Sequence, residues 1–352
     1  MSHQPGKIKR VSLRDVAAKA GIGVATASAV LNGSSSNTRV SDATRARILE
    51  VARELQYYPN AIGRTLAGHP TRTIGVIIGL RRATLAEANP FAFAVLEGIV
   101  AAASLEKYNI LLFTESWKDA SESLGPLRDG RIDGVIVIAA SDNSDILTAL
   151  GVSGLPAVSL SSTSGESGVP TIDIDNEAGT ILATRHLLDL GHRRIAHLSG
   201  DENLSSAVIR RQTFLEVCAS AGAPCDPDYL FPGTYEDASG YERTLRLLRL
   251  PHPPTAIFAA SDALAIAALR AAHDSGVQVP NDLSVIGFND ERMDPMVHPP
   301  LTTIRQDLGE IGMKGVRTLV QMLRGGSASS EPHLLAPTLI VRKSTAPPPA
   351  SR

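Results

Sequence analysis

From Thr73 onward the chain keeps repeating one pattern: a short apolar run closed by Gly, Pro or a polar residue, then a longer stretch with helical spacing. The runs are TIGVIIGL (73–80), NILLFTES (109–116), GVIVIAA (134–140) and PAVSLS (156–161), then RIAHLSG (194–200), TAIFAAS (255–261) and LSVIGFND (283–290). Between them lie helical patterns such as 177–190, 206–221 and 262–275. Strands alternating with helices of this length predict parallel, doubly wound sheets. The series comes twice, so two similar lobes are expected. Open parallel sheets take ligands at the carboxyl ends of their strands, and two facing lobes would enclose a small molecule between them.

With 352 residues there is material for two or three domains, and no segment reaches the roughly 18 to 20 uninterrupted apolar residues of a membrane-spanning helix. The opening residues MSHQPGKIKR lead into no apolar stretch, so no secretory signal is read and the cytoplasm is the expected location. Cys218 and Cys225, seven apart in an otherwise cysteine-free chain, match neither a disulfide framework nor a zinc pattern and read as structural thiols. The net charge of −2 hides a division after Arg72: 11 Lys/Arg against 4 Asp/Glu before it, and 23 against 32 after it. A basic head on an acidic body suits a head that meets a polyanion; a basic helical face serving only solubility is the other reading.

The head reads as three short helices. Ser12 caps a segment whose apolar Leu13, Val16, Ala17 and Ala20 recur at helical spacing, and Gly21 supplies the stop. A second segment, Val24 to Leu31, puts Ala27, Val30 and Leu31 on one side and Val24, Ala25, Ser28 and Ala29 mostly on the other. After a Ser- and Asn-rich loop, Ser41 opens a third helix with the seam Ile48, Val51, Ala52 and Leu55, and Pro59 ends the unit. Two short helices around a glycine turn, buttressed by a third, form a helix-turn-helix whose second helix fits the major groove of DNA.

The phrases SLRDVAAKAGIGVATASAVLNG and VSDATRARILEVARELQYYPNAIGRTLAG resemble the head of the LacI/GalR family of bacterial repressors. The resemblance runs from Val11 to about Thr345, through NPF (89–91), DIDNEAG (173–179), HLLDLGHRRIAHLSG (186–200), FAASDALA (258–265), VPNDLSVIGFND (279–290) and PPLTTIRQD (299–307). It implies an all-α helix-turn-helix head (1–58), a hinge helix and linker (59–71) and a two-lobed α/β body like the periplasmic binding proteins (72–345). Lobe one would take about 72–172 and 301–325, lobe two about 173–290 and 331–345, with 346–352 a disordered tail. It implies a homodimer on a pseudo-palindromic double-stranded DNA operator, a small-molecule effector such as a sugar, and no cofactor. The tail STAPPPASR has no heptad pattern, so a further tetramer helix is not expected.

Carried over position by position, base-edge readers fall on Val24, Ala25 and Ala29, and the remaining head contacts on Leu13, Thr26, Ser28, Asn32, Ser41 and Tyr57. Taken singly, Thr26, Ser28, Asn32, Ser41 and Tyr57 are more plainly read as helix caps and solvated hydroxyls. Relatives often have Arg where Ala29 stands; alanine cannot fork onto guanine, so apolar contact with thymine methyls is expected instead. Gly23 replaces a common Ser cap. The hinge contacts fall on Asn60, Ile62, Gly63, Arg64, Leu66 and Ala67, with Leu66 the wedge into a minor-groove step. The effector site falls on Phe91, Phe93, Ser161, Ser206, Arg210, Tyr235, Asn289 and Gln306. Core packing is the plainer reading of the three aromatics, and an exposed helical cation that of Arg210. Ser161 and Asn289 stand where relatives frequently carry Asp, so a less anionic pocket that tolerates an anionic ligand is expected.

No Walker loop, GxSxG elbow or HExxH helix occurs in the sequence, so an enzyme is not expected. Asp173 and Asp175 read as a strand end leading into a helix cap, and His192 and His197 suggest no metal site. A two-lobed carrier without regulatory DNA binding is the alternative.

Overall fold

The structure, a computed structural model, describes residues 11–32, 40–58, 69–79, 90–162, 165, 167–235 and 237–349. The chain divides into two units, 1–71 and 72–352.

In the first unit, α1 (Leu13–Ala20), α2 (Val24–Asn32) and α3 (Asp42–Glu54) pack around Val16, Ala20, Val30, Ile48, Val51 and Ala52. A capping box opens α1: the Asp15 amide donates to Ser12 Oγ while the Ser12 amide donates to Asp15 Oδ2 at 2.8 Å. Gly21 ends it at φ 66°, its amide reaching the Ala17 and Ala18 carbonyls, a left-handed turn that a side chain would strain. Ser41 caps α3 through the Thr44 amide at 3.2 Å.

The second unit holds two six-stranded sheets of matching order. The first contains β1 (Thr73–Ile78), β2 (Asn109–Phe113), β3 (Gly134–Ile138), β4 (Ala157–Leu160), β5 (Thr171–Ile174) and β11 (His333–Leu335), ordered β2-β1-β3-β4-β5-β11. The second contains β6 (Ile195–Leu198), β7 (Leu230–Phe231), β8 (Ala256–Ala259), β9 (Ser284–Asn289), β10 (Thr302–Arg305) and β12 (Thr338–Ile340), ordered β7-β6-β8-β9-β10-β12. All pairings are parallel except β10 with β12.

Helices cover both faces: α4 (Pro90–Glu106), α5 (Ala120–Leu127), α6 (Ile146–Ser153) and α11 (Leu308–Leu323) on the first sheet, and α7 (Asn176–Asp189), α8 (Ser205–Ser220), α9 (Asp237–Leu248) and α10 (Asp262–Asp274) on the second. The central strands β3, β8 and β9 are therefore buried along their whole length, in keeping with their largely apolar sequences. Helices α4 and α11 meet backbone to backbone: a Cβ on Gly98 would lie 2.0 Å from the Gly309 carbonyl oxygen, and one on Gly312 2.2 Å from that of Val95.

The chain crosses between lobes three times, after β5, β10 and β11. Two expected bounds are corrected here. Residues 302–305, expected in lobe one, pair with β9 in the second sheet, and 333–335, expected in lobe two, pair with β5 in the first. Ala346, expected in a disordered tail, donates its amide to Ser284 Oγ at 3.0 Å while its carbonyl accepts from His192 or Ser284.

Candidate functional site

In the head, the start of α2 presents a small apolar surface. Val24 is 43% exposed and Ala25 is exposed, while Ala27 and Val30 turn into the core. Thr26, Ser28 and Ala29 are half-buried, and Asn32 Nδ2 donates to Ser28 Oγ at 3.0 Å, so this pair is partly committed to itself. The first amide turn of α2 runs from the Gly23 carbonyl to the Ala27 amide at 3.1 Å. Leu13 is half-buried, and Tyr57 packs against the head core. Cations at Arg14, Arg45, Arg47 and Arg53 are exposed, while Lys19 pairs with Glu54 at 2.8 Å. A helix start with two exposed short apolar side chains can approach a groove floor closely, and the surrounding guanidiniums can meet phosphates. Asn60, Ile62, Gly63, Arg64, Leu66 and Ala67 lie outside the described residues.

In the body, Ser161, Tyr235, Asn289 and Gln306 lie at or just after the carboxyl ends of β4, β7, β9 and β10, whereas Phe91 and Phe93 stand on α4 and Ser206 and Arg210 on α8. Arg210, on α8, is not an exposed cation: it is 4% exposed, with Nε on Asn176 Oδ1 at 2.9 Å, Nη1 on the Ala260 carbonyl at 2.6 Å, and its guanidinium 3.6 Å above the Phe288 ring. Asn176 Nδ2 in turn donates to Asp173 Oδ2 at 3.1 Å, so an Asp–Asn–Arg chain runs from one lobe into the other. Burial raises the Asp173 carboxyl to about 6, against the pull of the Ile174 amide and Arg210.

Ser161, just past β4, sits at φ 55° with its hydroxyl buried beside the Asp173 carboxyl. Among the described residues, the buried hydroxyls of Ser199, after β6, and Tyr235, after β7, meet no hydrogen-bond partner. Tyr235 rests on Gly200, where a Cβ would come within 2.1 Å of its ring. Asn289, at φ 146°, is consumed at both ends: Oδ1 accepts from Gln306 Nε2 and Nδ2 donates to Glu291 Oε1 at 3.0 Å. Ser206 is half-buried in the first turn of α8. Phe91 is half-buried against the lobe-one core, whereas Phe93 is 42% exposed.

Three further acids lie nearby: Asp173, Glu291, raised by burial to about 7, and Asp262, whose carboxylate accepts from the Glu291 amide at 3.1 Å. Asp173 and Asn176 escaped the sequence reading although DIDN carries both: Asp175 does cap α7 through the Ala178 amide at 2.8 Å, but its neighbour two residues earlier faces Arg210. His192 and His197 are buried structural groups, the latter stacked between Phe214 and Phe258 at 5.0 and 4.8 Å. Cys218 and Cys225 are free thiols, both raised to about 12 by burial. Among the described residues no group of His, Cys, Asp or Glu is arranged to hold a metal, and no helix is long and apolar enough to cross a membrane.

Loop and helix contacts also span the lobes. The loop after β3 meets the loop after β6 through the Asp142 amide on the Asn203 carbonyl (2.8 Å) and Asn143 Nδ2 on Asn203 Oδ1 (3.1 Å). Arg292 of lobe two reaches Glu97 of α4 at 2.8 Å.

This arrangement is similar to that of known proteins. The family described as "Bacterial regulatory proteins, lacI family" matches residues 12–60, and the one described as "Periplasmic binding protein-like domain" matches 184–345. Catabolite control protein A of Priestia megaterium is 32% identical over 339 residues, spanning 95% of this chain and 99% of that protein. The transcriptional regulator CelR of Thermobifida fusca is 33% identical over 339 residues, spanning 96% and 98%. Among solved structures, the Lac repressor dimer bound to operator and the anti-inducer ONPF superposes with a TM-score of 0.83 at 29% identity, covering 96% of this chain and all of that one. A CelR–cellobiose complex gives 0.72 at 32% identity, covering 95% of this chain and 100% of its counterpart.

Proposed function

The chain belongs to the lacI family of bacterial regulatory proteins, and from that premise we propose that it is a cytoplasmic repressor that binds a pseudo-palindromic operator as a homodimer and answers to a sugar or related small metabolite. One recognition helix reads too little DNA for a genome-wide choice, and two-fold protein symmetry matches two half-sites. The observation that carries the reading is a capped helix-turn-helix head joined in one chain to a body that buries Arg210 on α8 and, among the described residues, leaves the buried hydroxyls of Ser199 and Tyr235 after β6 and β7 without partners. Buried hydroxyls without partners are costly, and a polyhydroxylated ligand would satisfy them. The Lac repressor solved as an operator-bound dimer and CelR solved with cellobiose support the same division of labour. The head disfavours a plain carrier. Ligand would shift the population of lobe arrangements and, through it, whether two hinge segments meet on DNA.

The test is a gel-shift titration on a selected operator with and without a panel of mono- and disaccharides. A change in operator affinity with one sugar is expected; Leu66→Ala should weaken operator binding about tenfold or more while leaving sugar affinity unchanged. Sugar binding with no effect on DNA would favour the carrier.

A further inference from the structure

Behind the cleft wall at Asn289, two carboxyl groups are buried together. Asp262 opens α10 and Asp294 lies between β9 and β10, and both are 0% exposed. Asp262 is well supplied with donors: Thr303 Oγ1 at 2.6 Å on one oxygen and the Glu291 amide at 3.1 Å on the other. Asp294 is not. Neither of its oxygens meets a donor among the described residues, and Arg342, whose guanidinium is committed to the Leu301 carbonyl and Asp290, stays 3.9 Å away. Its neighbour is the Asp262 carboxyl. Two ionised carboxylates repel in a dry interior, whereas one proton between them makes a strong hydrogen bond.

We propose that Asp262 and Asp294 share one proton at neutral pH and that this proton seats the segment 290–297 against the second lobe, which makes Asp294 a positioning residue for the cleft. That segment carries Glu291, the partner of Asn289, and Arg292, the partner of Glu97 across the lobes. The groups facing the pair fit this count. Its own segment brings Asp290 and Glu291, β10 brings Arg305, which is taken by Asp290, the chain just after β12 brings Arg342, and α8 brings Arg210, which also faces Asp173. Acids outnumber cations, so one carboxyl must stay neutral. Burial and the adjacent Asp262 hold the Asp294 carboxyl up to about 10.

The sign follows. An unfolded carboxyl releases its proton in the ordinary acid range while the folded one keeps it, so the pair's contribution to stability falls as pH rises from there towards about 10. Thermal melts of the full chain and of Asp294→Asn between about pH 6 and pH 9.5 test this. The variant, whose amide donates permanently to Asp262, is expected to melt higher, with an advantage that grows with pH to about 2 °C or more. In parallel, tryptic cleavage after Arg292, normalised to a peptide substrate, should rise at least about fivefold towards alkaline pH in the unmodified chain and not in the variant. A variant that melts lower, or by a constant offset, overturns the proposal in favour of an ionised Asp294 paired with Arg342. So does cleavage at Arg292 that ignores pH. If the variant fails to fold, infrared spectra of the unmodified chain decide: a protonated-carboxyl band at pH 8 that vanishes at the alkaline end supports the shared proton, and no such band overturns it.

Discussion

The two lobes have the same strand order and different interiors. Lobe one is an apolar scaffold: among the described residues its buried polar side chains are a few hydroxyls and Asp173, and its main helix contact is closed by glycine backbones on α4 and α11. Lobe two buries Arg210, Arg243, Asp262, Asp294, His192 and His197 in an equivalent frame. One topology thus supports two roles. Shape is specified where backbones touch, and chemistry is concentrated where burial makes each charge expensive unless it is matched. Under the proposed sensing role, ligand recognition is accordingly expected chiefly from lobe two.

The largest expected effect breaks the scaffold side. Gly312→Leu forces α4 and α11 apart against backbone, and a loss of about 3 kcal/mol or more, or no folded protein at all, is expected by circular dichroism melting. The lobe-two counterpart, Gly179→Ala, meets side chains rather than backbone, the Phe288 ring at 2.7 Å and Ile304 Cγ2 at 3.3 Å, and should cost markedly less. Equal losses would erase the contrast between backbone-closed and side-chain-closed packing.

Next comes Arg210→Ala, which strands Asn176, the Ala260 carbonyl and the Asp173 charge; a cost of about 3 kcal/mol and a loss of sugar affinity of about a hundredfold are expected, with operator affinity in the absence of sugar changed far less. Phe93→Ala, on the exposed wall of lobe one, should cost under about 0.5 kcal/mol. Calorimetric titration of both variants would invert the assignment of roles if Phe93 proved the more important for ligand.

The smallest effects are opposite in sign. Asp173 has a folded pKa raised to about 6, so the folded chain binds the extra proton and its contribution to stability grows as pH falls from about 7 towards 4; Asp173→Asn should flatten that part of the profile. His197 is lowered to about 3 by burial, so it must stay neutral in the fold, and stability is lost as pH falls below about 6.5; His197→Phe should preserve stability there. Melting curves from pH 4 to 7 for both variants check the signs, and a shared sign would contradict the burial assigned to one of them.

Much of this frame was legible because continuous apolar runs such as GVIVI and SVIGFN can only be interior strands once helices alternate with them. Strands β5 (TIDI), β10 (TTIR), β11 and β12 were not, since three or four residues interrupted by Asp, Thr or Arg carry no such signal, and for this reason the crossings between lobes were misplaced. Arg210 could have been found: Ala207, Arg210 and Phe214 share one helical stripe, while Arg211 points to Glu202 at 3.2 Å. Asp294 could not, because loop residues have no periodicity to betray burial. In the head, caps at Ser12 and Ser41 were readable from local chemistry alone.

In the proposed function the head grips DNA as one half of a symmetric pair. The most direct measurement is to select DNA from a randomised pool with the full chain at low salt and to sediment the resulting complex. Two inverted half-sites held by two copies of the chain are predicted. A single unpaired site held by one copy, or no enrichment of any sequence, would contradict it.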